Sequence, residues 1–581
     1  MFRRVVAFAA VGAGGRLSAV FLGGPEGPPY AYAARRCYWS RLAPLLQALT
    51  RLCRSGASRD QCQPTVHAHT RCNNGYPMTQ AYLERILTAC VYDVAINSPL
   101  DHAPTLSGRL NNRVLMKRED LQPVFSFKLR GAYNMISRLP DEAKAKGVIC
   151  ASAGNHAQGV ALASRKLGIK GVIVMPRTTP SIKVNAARRL GGKVILHGDS
   201  YDEAAAHATK LMDERGMTWI PPYDAPDIIA GQGTVGMEIL HQHPQKLHAI
   251  FVPVGGGGLA AGVATYVKQL RPDVKVIGVE PEDAPTLHAA LKANKRVQLE
   301  QVGLFADGVA VRQIGKETFR VLRKHIDDVV LVTTDEICAG IRDIFDDTRT
   351  INEPAGALAV AGLKKYVETT GVEGESLVAI NSGANMNFSR LGHVAERAEV
   401  GEHREAVLAV TIPERPGSFR QFCQAIGKRQ VTEFNYRFSD PRQAHVFVGL
   451  GLQDGLHEKD DLVAHLEEND YPVLDLTDNE MAKVHLRHMV GGHGHLVEHE
   501  RVFRFEFPER PGALMQFLNQ LGRRFNISMF HYRNHGAAYG RVFVGIQVPP
   551  EHAERFDQFL DGIGYRYEEE TDNPAYALFL S

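Results

Sequence analysis

The stretch Ser126-Phe127-Lys128-Leu129-Arg130-Gly131-Ala132 is the one from which the fold of this 581-residue chain can be inferred. A lone lysine before a Leu-Arg-Gly-Ala turn would ordinarily be interpreted as a surface charge at the start of a helix. Three other stretches favour a functional lysine: ASAGNHAQG at 151–159, PVGGGGLAAG at 253–262 and NSGANMN at 381–387. The first two lie where an apolar run meets a helical pattern, and backbone N–H groups at such turns bind anions.

Composition limits the classes of function. The chain is 44% hydrophobic and 23% charged, which is typical of a soluble globular protein with two or three domains. The formal net charge of +3 gives no argument for nucleic acid or an anionic membrane as a partner. No uninterrupted apolar run of about 18 residues occurs, so we predict no membrane span.

The eight cysteines show no CxxC spacing and are interpreted as reduced thiols in a cytosol-like compartment, without a disulfide framework or zinc site. We therefore predict no metal site from them. Their positions are Cys37, Cys53, Cys62, Cys72, Cys90, Cys150, Cys338 and Cys423.

Residues 1–75 are predicted to lie outside the fold, as a disordered or targeting extension. Residues 1–60 hold nine arginines, no lysine and only two acidic residues, Glu26 and Asp60. Such a composition is typical of transit peptides, although serine is scarce and GGPEGPP at 23–29 would interrupt a helix. The expected location is cytoplasmic. A plastid or the mitochondrial matrix is the alternative, and an over-long start assignment upstream of a bacterial coding region is another.

From Tyr76 to about residue 400, apolar strand patterns alternate with helical patterns. Continuous Val/Ile runs between helices indicate strands buried on both faces, and hence a largely parallel, doubly wound α/β sheet whose ligands bind beyond the carboxyl ends of the strands. Strands are predicted at 113–117, 147–151, 171–175, 193–196, 249–254 and 274–280. Helices are predicted at 82–94, 131–139, 156–167 and 181–190 and from 259 onward.

After Gly401 an internal repeat appears. The segments ERPG at 414–417, FNYR at 434–437 and VFVG at 446–449 recur as ERPG, FHYR and VFVG, displaced by 95, 96 and 96 residues. Each copy predicts a strand, an amphipathic helix and two further strands, which is a ferredoxin-like arrangement. We place the two copies at 404–488 and 500–581.

Taken together and in this order, the four motifs resemble the threonine dehydratases of the fold type II pyridoxal phosphate (PLP) family, from about Tyr76 to the C-terminus. The resemblance implies a catalytic domain at 76–400 with two open, twisted α/β subdomains, similar to the tryptophan synthase β subunit. It also implies that the repeat is a pair of ACT-like regulatory subdomains of the ferredoxin-like α+β type.

The resemblance implies a PLP site. Lys128 would form the Schiff base and later remove the α proton of the substrate, and Phe127 would pack against the cofactor ring. Asn155 would hydrogen-bond the 3′ oxygen of the ring, and Ser382 the pyridine nitrogen. The phosphate would be bound by Gly255, Gly256, Gly257, Gly258 and Leu259, and the substrate carboxylate by Ser152, Ala153, Gly154, Asn155 and His156. Considered alone, His156 is better interpreted as a structural residue than as a metal ligand.

The expected reaction is α,β-elimination of L-threonine, with L-serine as a second substrate, to release an enamine that becomes 2-oxobutanoate and ammonia. Related serine racemases carry serine at the place of Ala153, where it acts as an acid. Because alanine cannot donate that proton, elimination is favoured over racemisation. Ser382, unlike an aspartate, does not keep the ring nitrogen protonated, which makes transamination less favourable.

The resemblance also implies feedback inhibition by isoleucine, opposed by valine, in a homo-oligomer that is usually a tetramer in this family. Candidate effector residues at matching places of the repeat are Tyr436, Arg437, Tyr532 and Arg533, with a purely structural role as the alternative. Two other functions stay open: a serine-directed β-eliminating or β-replacing enzyme of the same fold, and a non-catalytic amino-acid sensor. The loop after Glu280 is where a monovalent cation would bind, but no dependable signal supports one.

Overall fold

The computed structural model describes residues 78–438, 440–479, 482, 497–508, 513–521, 525–533, 539–573, 576 and 580. It divides the chain into Met1–Gly75 and Tyr76–Ser581, and all the elements below belong to the second unit. The prediction for residues 1–75 therefore lies outside the described residues.

The part of the chain that is predicted to be catalytic contains two separate sheets. The larger one has the order β1-β2-β10-β7-β8-β9 and is parallel except for β1, at one edge, which pairs with β2 in the antiparallel sense. The smaller one has the order β5-β4-β3-β6 and is wholly parallel. The strands are Leu100–His102 (β1), Arg113–Arg118 (β2), Val148–Ala151 (β3), Gly171–Met175 (β4), Lys193–Leu196 (β5), Thr218–Trp219 (β6), Ala249–Pro253 (β7), Lys275–Pro281 (β8), Asp328–Val332 (β9) and Ser376–Asn381 (β10).

Helices cover both faces of these sheets. Along β7, Ala249 and Phe251 belong to one buried apolar cluster, while Ile250 and Val252 belong to another on the opposite face. This alternation is the expected result of a strand whose two faces are both buried. The helices are Met78–Leu87 (α1), Pro104–Arg109 (α2), Lys128–Ser137 (α3), Asp141–Lys146 (α4), Asn155–Leu167 (α5), Ser181–Arg189 (α6), Tyr201–Arg215 (α7), Pro226–Gln242 (α8), Gly258–Leu270 (α9), Thr286–Lys292 (α10), Lys316–His325 (α11), Thr334–Thr348 (α12), Pro354–Thr370 (α13) and Leu391–Gly401 (α14).

The helix predicted at 82–94 is wrong at both ends. In the structure α1 ends at Leu87, because tertiary hydrogen bonds take over the backbone after it. Arg138 donates to the carbonyl oxygen of Thr88, and the N–H of Cys90 donates to Asn134 Oδ1 over 2.9 Å. Local periodicity cannot reveal partners that lie more than 40 residues away.

The part of the chain that is predicted to be regulatory forms one eight-stranded antiparallel sheet with the order β14-β11-β13-β12-β16-β17-β15-β18. Its strands are Glu405–Pro413 (β11), Val431–Arg437 (β12), Gln443–Gly451 (β13), Val473–Asp475 (β14), Glu500–Pro508 (β15), Asn526–Arg533 (β16), Tyr539–Gln547 (β17) and Arg566–Glu569 (β18). Its helices are Ser418–Ala425 (α15), Gly455–Glu468 (α16), Ala513–Leu521 (α17) and Ala553–Gly562 (α18).

The strand order of this sheet is mirror-symmetric with respect to the two copies of the repeat. Each half has the order strand–helix–strand–strand–helix–strand, and equivalent strands lie at equal distances from the central β12–β16 pair. In that pair Asn435 faces His531, which is its own equivalent 96 residues later, so a pseudo-two-fold axis passes between them. The predicted architecture, an α/β part with two open sheets followed by two ferredoxin-like α+β units, is confirmed.

None of the helices in the described part of the chain combines the length and the apolar character that a membrane span requires.

Candidate active site

Parallel strands bring the predicted motifs to one edge of the large sheet. Strand β10 lies between β2 and β7 and is parallel to both, with Asn381 beside Arg118 and Ala379 beside Phe251. The segments that follow these strands therefore emerge on the same side. Among them are the lysine loop, the glycine loop and the loop that begins at Ser382.

Lys128 is the first residue of α3 and is only partly exposed. Its Nζ donates a hydrogen bond to the carbonyl oxygen of Pro222 over 3.0 Å and lies 5.3 Å from the centre of the Phe127 ring. Burial of the amine lowers the pKa of Lys128 to about 8, although the negative charge of Glu353 acts in the opposite direction. A sizeable neutral fraction near physiological pH is what a Schiff-base lysine needs.

The lysine loop is joined to the loop after β10. Ser126 and Gly383 form an isolated antiparallel bridge, and the N–H of Phe127 donates to the carbonyl oxygen of Ser382 over 3.3 Å. The Ser382 side chain is buried, and its hydroxyl donates to the carbonyl oxygen of Ala355 over 3.2 Å. The structure thus brings together Phe127, Lys128 and Ser382. The family resemblance assigned these residues to the face, the aldehyde and the pyridine nitrogen of one ring.

The glycine loop is narrow because its neighbours leave no room for side chains. A Cβ atom on Gly256 would lie 2.2 Å from the ring of Tyr223, and one on Gly255 would lie 2.8 Å from Cα of Val309. Gly257 has a φ of +88° and caps α9, whose first-turn N–H groups are without helical partners. A cradle of backbone N–H groups at a helix N-terminus fits a phosphate. Leu259, the second residue of α9, is buried.

A segment that the sequence did not single out, Pro222–Asp224, connects the lysine to the glycine loop. Besides the contacts of Pro222 and Tyr223 already described, the carboxylate of Asp224 accepts hydrogen bonds from the N–H groups of Lys316 and Glu317, each over 2.8 Å. These contacts attach the start of α11 to the lysine and the glycine loop. The sequence signal, a Pro-Pro-Tyr-Asp turn, indicates only a loop.

The predicted substrate loop, Ser152–His156, runs from the end of β3 into α5. Ser152 Oγ accepts a hydrogen bond from the N–H of Gly154 over 3.2 Å, which tightens the turn and leaves Ala153 between them. His156 is buried, and its Nε2 lies 2.8 Å from the carbonyl oxygen of Ile220, so its proton is on Nε2. Burial lowers the pKa of His156 to about 3, and this ring therefore stays neutral.

Glu353 is a site residue that sequence reasoning missed. It precedes α13, where a carboxylate is normally interpreted as a helix cap, but its side chain makes no cap. Instead its Oε1 accepts a hydrogen bond from Asn155 Nδ2, and Asn155 Oδ1 accepts one from Asn385 Nδ2 over 2.6 Å. Burial raises the pKa of Glu353 to about 7, whereas the hydrogen bond from Asn155 lowers it.

A cavity of about 140 Å³ adjoins Glu353. Two of its lining residues form an ion pair: Lys183 of α6 donates to Asp307 over 2.6 Å. Its walls are Pro180, Lys183, Asp307, Glu353, Pro354, Asn385, Met386, Asn387 and Arg390. Two basic side chains, Lys183 and Arg390, and two acidic ones, Asp307 and Glu353, line this cavity.

The loop after Glu280 is named only as the place where a monovalent cation would bind, and there the Glu280 carboxylate is occupied by the start of α10. It accepts hydrogen bonds from Thr286 Oγ1 over 3.0 Å, from the N–H of Leu287 over 2.8 Å and from the N–H of His288 over 2.9 Å. Within the described ranges, no group of three His, Cys, Asp or Glu residues is arranged to hold a metal ion.

Comparison with known proteins agrees with this geometry. The family described as pyridoxal-phosphate dependent enzymes matches residues 91–383, and the C-terminal regulatory domain of threonine dehydratase matches twice, at 396–486 and 492–580. The biosynthetic L-threonine dehydratase of Burkholderia multivorans is 58% identical over 504 residues, which are 86% of this chain and 99% of that protein. This chain belongs to the threonine dehydratase family.

Other threonine dehydratases are similarly close. The biosynthetic enzyme of Escherichia coli is 54% identical over 87% of this chain and 98% of its own length. Among solved structures, the processed form of threonine deaminase isoform 2 from Solanum lycopersicum is 53% identical, with a TM-score of 0.54, over 55% of this chain and 93% of that one. The predictions of a PLP-dependent lyase and of PLP as its cofactor are confirmed.

The candidate effector residues of this threonine dehydratase lie on the central strand pair. Tyr436 is buried, and its hydroxyl donates to the carboxylate of Glu414, which also accepts from Asn526 Nδ2 over 3.1 Å. Arg437 donates to both carboxylate oxygens of Glu500, over 2.5 and 3.2 Å. Tyr532 is buried in the apolar core of the regulatory part.

The side chain of the fourth candidate, Arg533, lies outside the described residues. Its backbone pairs with Glu433 in the central strand pair. A crevice beside Asn526 is lined by Arg415, Gly417, Phe419, Arg420, Leu518, Leu521, Phe525, Asn526 and Ile527. Tyr436 therefore reaches this crevice through Glu414 and Asn526.

Proposed function

We propose that this enzyme deaminates L-threonine to 2-oxobutanoate and ammonia by α,β-elimination, as the first step of isoleucine synthesis. The observation that carries the proposal is the lysine site: Lys128 contacts Pro222 over 3.0 Å while the glycine loop packs on the adjacent Tyr223. Identity of 51–58% to threonine dehydratases along most of the chain supports threonine as the substrate.

The chain's own residues would divide the work as follows. PLP, when bound, draws electrons from the substrate Cα and so makes its proton acidic. Lys128, whose amine is partly neutral near physiological pH, would accept that proton at Nζ. Backbone N–H groups of the loop Ser152–Asn155 would bind the substrate carboxylate at the start of α5. The β-hydroxyl would leave as water, and the released enamine would tautomerise to an imine. A second water molecule would hydrolyse that imine to 2-oxobutanoate and ammonia.

Two side chains would favour this outcome over competing reactions. Ala153 has no acidic proton to deliver to the second face of Cα, which disfavours racemisation. In the structure the Ser382 hydroxyl donates to the carbonyl oxygen of Ala355. Ser382 would offer the ring nitrogen this hydroxyl and not a carboxylate. That choice keeps the ring a weaker electron sink and disfavours transamination.

We further propose that isoleucine inhibits the enzyme, that valine opposes it, and that the regulatory sheet binds them. The two matches to a threonine dehydratase regulatory domain support this proposal. An effector must bind one conformational state more tightly than another, and a coupling of about 1–3 kcal/mol suffices for useful inhibition. Tyr436, Arg437, Tyr532 and Arg533 remain the candidate effector residues. The network around Glu414 connects the first of them to a crevice.

The assembly and location are also part of the proposal. We expect a homotetramer, with a mass in light scattering of four times the 64.0 kDa chain. A dimer or monomer at micromolar concentration would contradict it.

A cytoplasmic location is the working prediction. A plastid or the mitochondrial matrix is the alternative, since relatives from Solanum lycopersicum and Saccharomyces cerevisiae are named chloroplastic and mitochondrial.

Serine-directed elimination is the second candidate function. It is favoured by the likeness to maize serine racemase, which is 29% identical with a TM-score of 0.51 over 56% of this chain. The tandem regulatory units argue against it, because a purely serine-directed enzyme would have no evident use for branched-chain effectors. A comparison of kcat/KM for L-threonine and L-serine decides between the two.

The deciding experiment measures 2-oxobutanoate release from L-threonine with and without isoleucine, using the PLP-loaded wild type and Lys128→Ala. We expect activity that isoleucine suppresses in the wild type. The variant should lose turnover by on the order of 10³-fold or more while it still binds isoleucine. Lys210→Ala, an exposed lysine of α7, is the matched control. Substantial turnover by Lys128→Ala would rule out the assigned role, and activity indifferent to isoleucine would rule out the regulatory proposal.

A further inference from the structure

A chain of hydrogen bonds leads from the lysine loop to a buried carboxylate. Asn385 Nδ2 donates to the carbonyl oxygen of Val124 over 2.9 Å and to Asn155 Oδ1 over 2.6 Å. Asn155 Nδ2 in turn donates to Glu353 Oε1. These contacts join segments up to 261 residues apart, so they hold only in the folded active site.

The donor-to-acceptor direction of this series of hydrogen bonds is fixed at both ends. The carbonyl oxygen of Val124 can only accept, and an ionised Glu353 can only accept. The amide nitrogen of Asn385 must therefore face Val124. Its two hydrogens are then both used, one toward Val124 and one toward Asn155. Asn155 must then turn its oxygen toward Asn385 and its nitrogen toward Glu353. After these contacts Asn155 has one amide hydrogen left to offer.

We propose that Glu353 is a positioning residue of this active site, which together with Asn385 holds Asn155 as a hydrogen-bond donor toward its ligand. The ligand group that fits a lone donor is an acceptor oxygen, and the phenolic 3′ oxygen of PLP is such a group. This inference rests on the proposed function and names the residue that orients one of its cofactor contacts. Reversal of the Asn155 amide would set its oxygen against another oxygen.

The surroundings of Glu353 are built for this role. Its side chain is only 5% exposed, and a Cβ atom on Gly383 would lie 2.4 Å from its Oε1, so a glycine there leaves space for the carboxylate. The N–H of Glu353 also donates to the carbonyl oxygen of Gly383 over 3.2 Å. The backbone of Glu353 is thus fixed by Gly383, and its carboxylate is fixed by Asn155.

Four charged groups surround this carboxylate. Lys128 and Lys183 stabilise its ionised form, Asp307 destabilises it, and Arg390 lines the same cavity. Because burial raises the pKa of Glu353 to about 7, the group is ionised above neutral pH and carries a proton below it. A protonated Glu353 can donate as well as accept, so the fixed direction of the chain weakens as the pH falls through 7.

The test compares PLP binding and the cofactor's absorption spectrum in Glu353→Gln and Glu353→Met. Glutamine keeps an acceptor oxygen toward Asn155 but has no ionisation, whereas methionine keeps the volume and removes the acceptor. We expect Glu353→Met to bind PLP roughly tenfold more weakly or worse, with a displaced absorption maximum. We expect the wild type to show a spectral transition near pH 7. Glu353→Gln should bind PLP within a few-fold of wild type and lack that transition.

Glu368→Met, at the exposed end of the same helix, is the control and should leave both measurements unchanged. Wild-type affinity and spectrum in Glu353→Met would overturn the inference. So would a transition near pH 7 that persists in Glu353→Gln. The glutamine variant keeps the test decisive if the methionine variant does not fold. Failure of the proposed function is distinguishable, because it would show as a wild type that binds PLP normally but does not deaminate threonine.

Discussion

Lys128 shows at the scale of a single residue how burial prepares a reactive amine. Its carbonyl partner, Pro222, accepts a hydrogen from the ammonium form, and burial lowers the pKa of Lys128 to about 8. Only the neutral amine attacks an aldehyde. The rate at which PLP-free enzyme captures PLP should therefore rise about tenfold per pH unit below 8 and level off above it.

Stopped-flow absorbance at constant ionic strength measures this rate. The Glu353→Gln variant tests the direction of the effect. Because the carboxylate of Glu353 raises the pKa of Lys128, its removal should move the midpoint of the pH–rate profile to lower pH. A midpoint near the ordinary lysine pKa of about 10.4 would contradict the buried setting of this amine.

Among the elements, the glycine loop depends on the closest packing. Replacement of Gly256 by alanine would place a methyl group 2.2 Å from the Tyr223 ring, and that ring would have to move. Overpacking costs about 1–3 kcal/mol, so we expect the dissociation constant for PLP to rise by roughly tenfold or more. Gly392→Ala, in α14, meets no atom within 4 Å and should bind PLP as the wild type does.

Behind the lysine, α3 is anchored by a buried ion network. Arg130 is fully buried and contacts Glu119 over 2.7 Å and Glu238 over 2.6 Å, while Lys117 also contacts Glu238 over 2.6 Å. Removal of one member leaves a buried charge uncompensated, which costs about 3–5 kcal/mol. Arg130→Met should therefore lower the urea midpoint markedly.

The exposed ion pair Lys210–Glu214 is the control for the stability lost in Arg130→Met. Lys210→Met should change the free energy of unfolding by less than about 1 kcal/mol. Equal effects of the two substitutions would mean that the network contributes little to stability. A second outcome follows from position: Arg130 lies two residues after Lys128 in α3, so weakened PLP retention should accompany the loss of stability.

Much of the fold follows from local patterns. Buried Val/Ile runs predicted the parallel strands, and the 96-residue displacement predicted the paired units, because both signals lie in the sequence itself. Glu353 and Tyr223 could not be predicted. Glu353 meets Asn155 across 198 residues, and its position before Pro354 is also what an ordinary helix start looks like. The geometry of the site therefore depends on long-range contacts that periodicity does not encode.

For the whole molecule, the question is how the regulatory sheet responds to an effector. Tyr436→Phe removes the hydroxyl that donates to Glu414 without changing the ring. Loss of a hydrogen bond worth about 1 kcal/mol should raise the isoleucine concentration for half-inhibition by roughly fivefold, with kcat/KM in the absence of isoleucine unchanged. Tyr567→Phe, on the outer strand β18, is the control. Unchanged inhibition in Tyr436→Phe would assign this tyrosine a structural role only.

The pairing of the two repeats at the centre of the sheet does not depend on how dilute the enzyme is. Strands β12 and β16 pair at its centre, and each would be a bare edge if the two repeats were separate molecules. Two such molecules would find each other only above some protein concentration. Because the repeats are covalently linked, each edge always has its partner nearby, at an effective concentration set by the connecting chain. The tandem arrangement thus makes the central pairing independent of how much enzyme a cell contains.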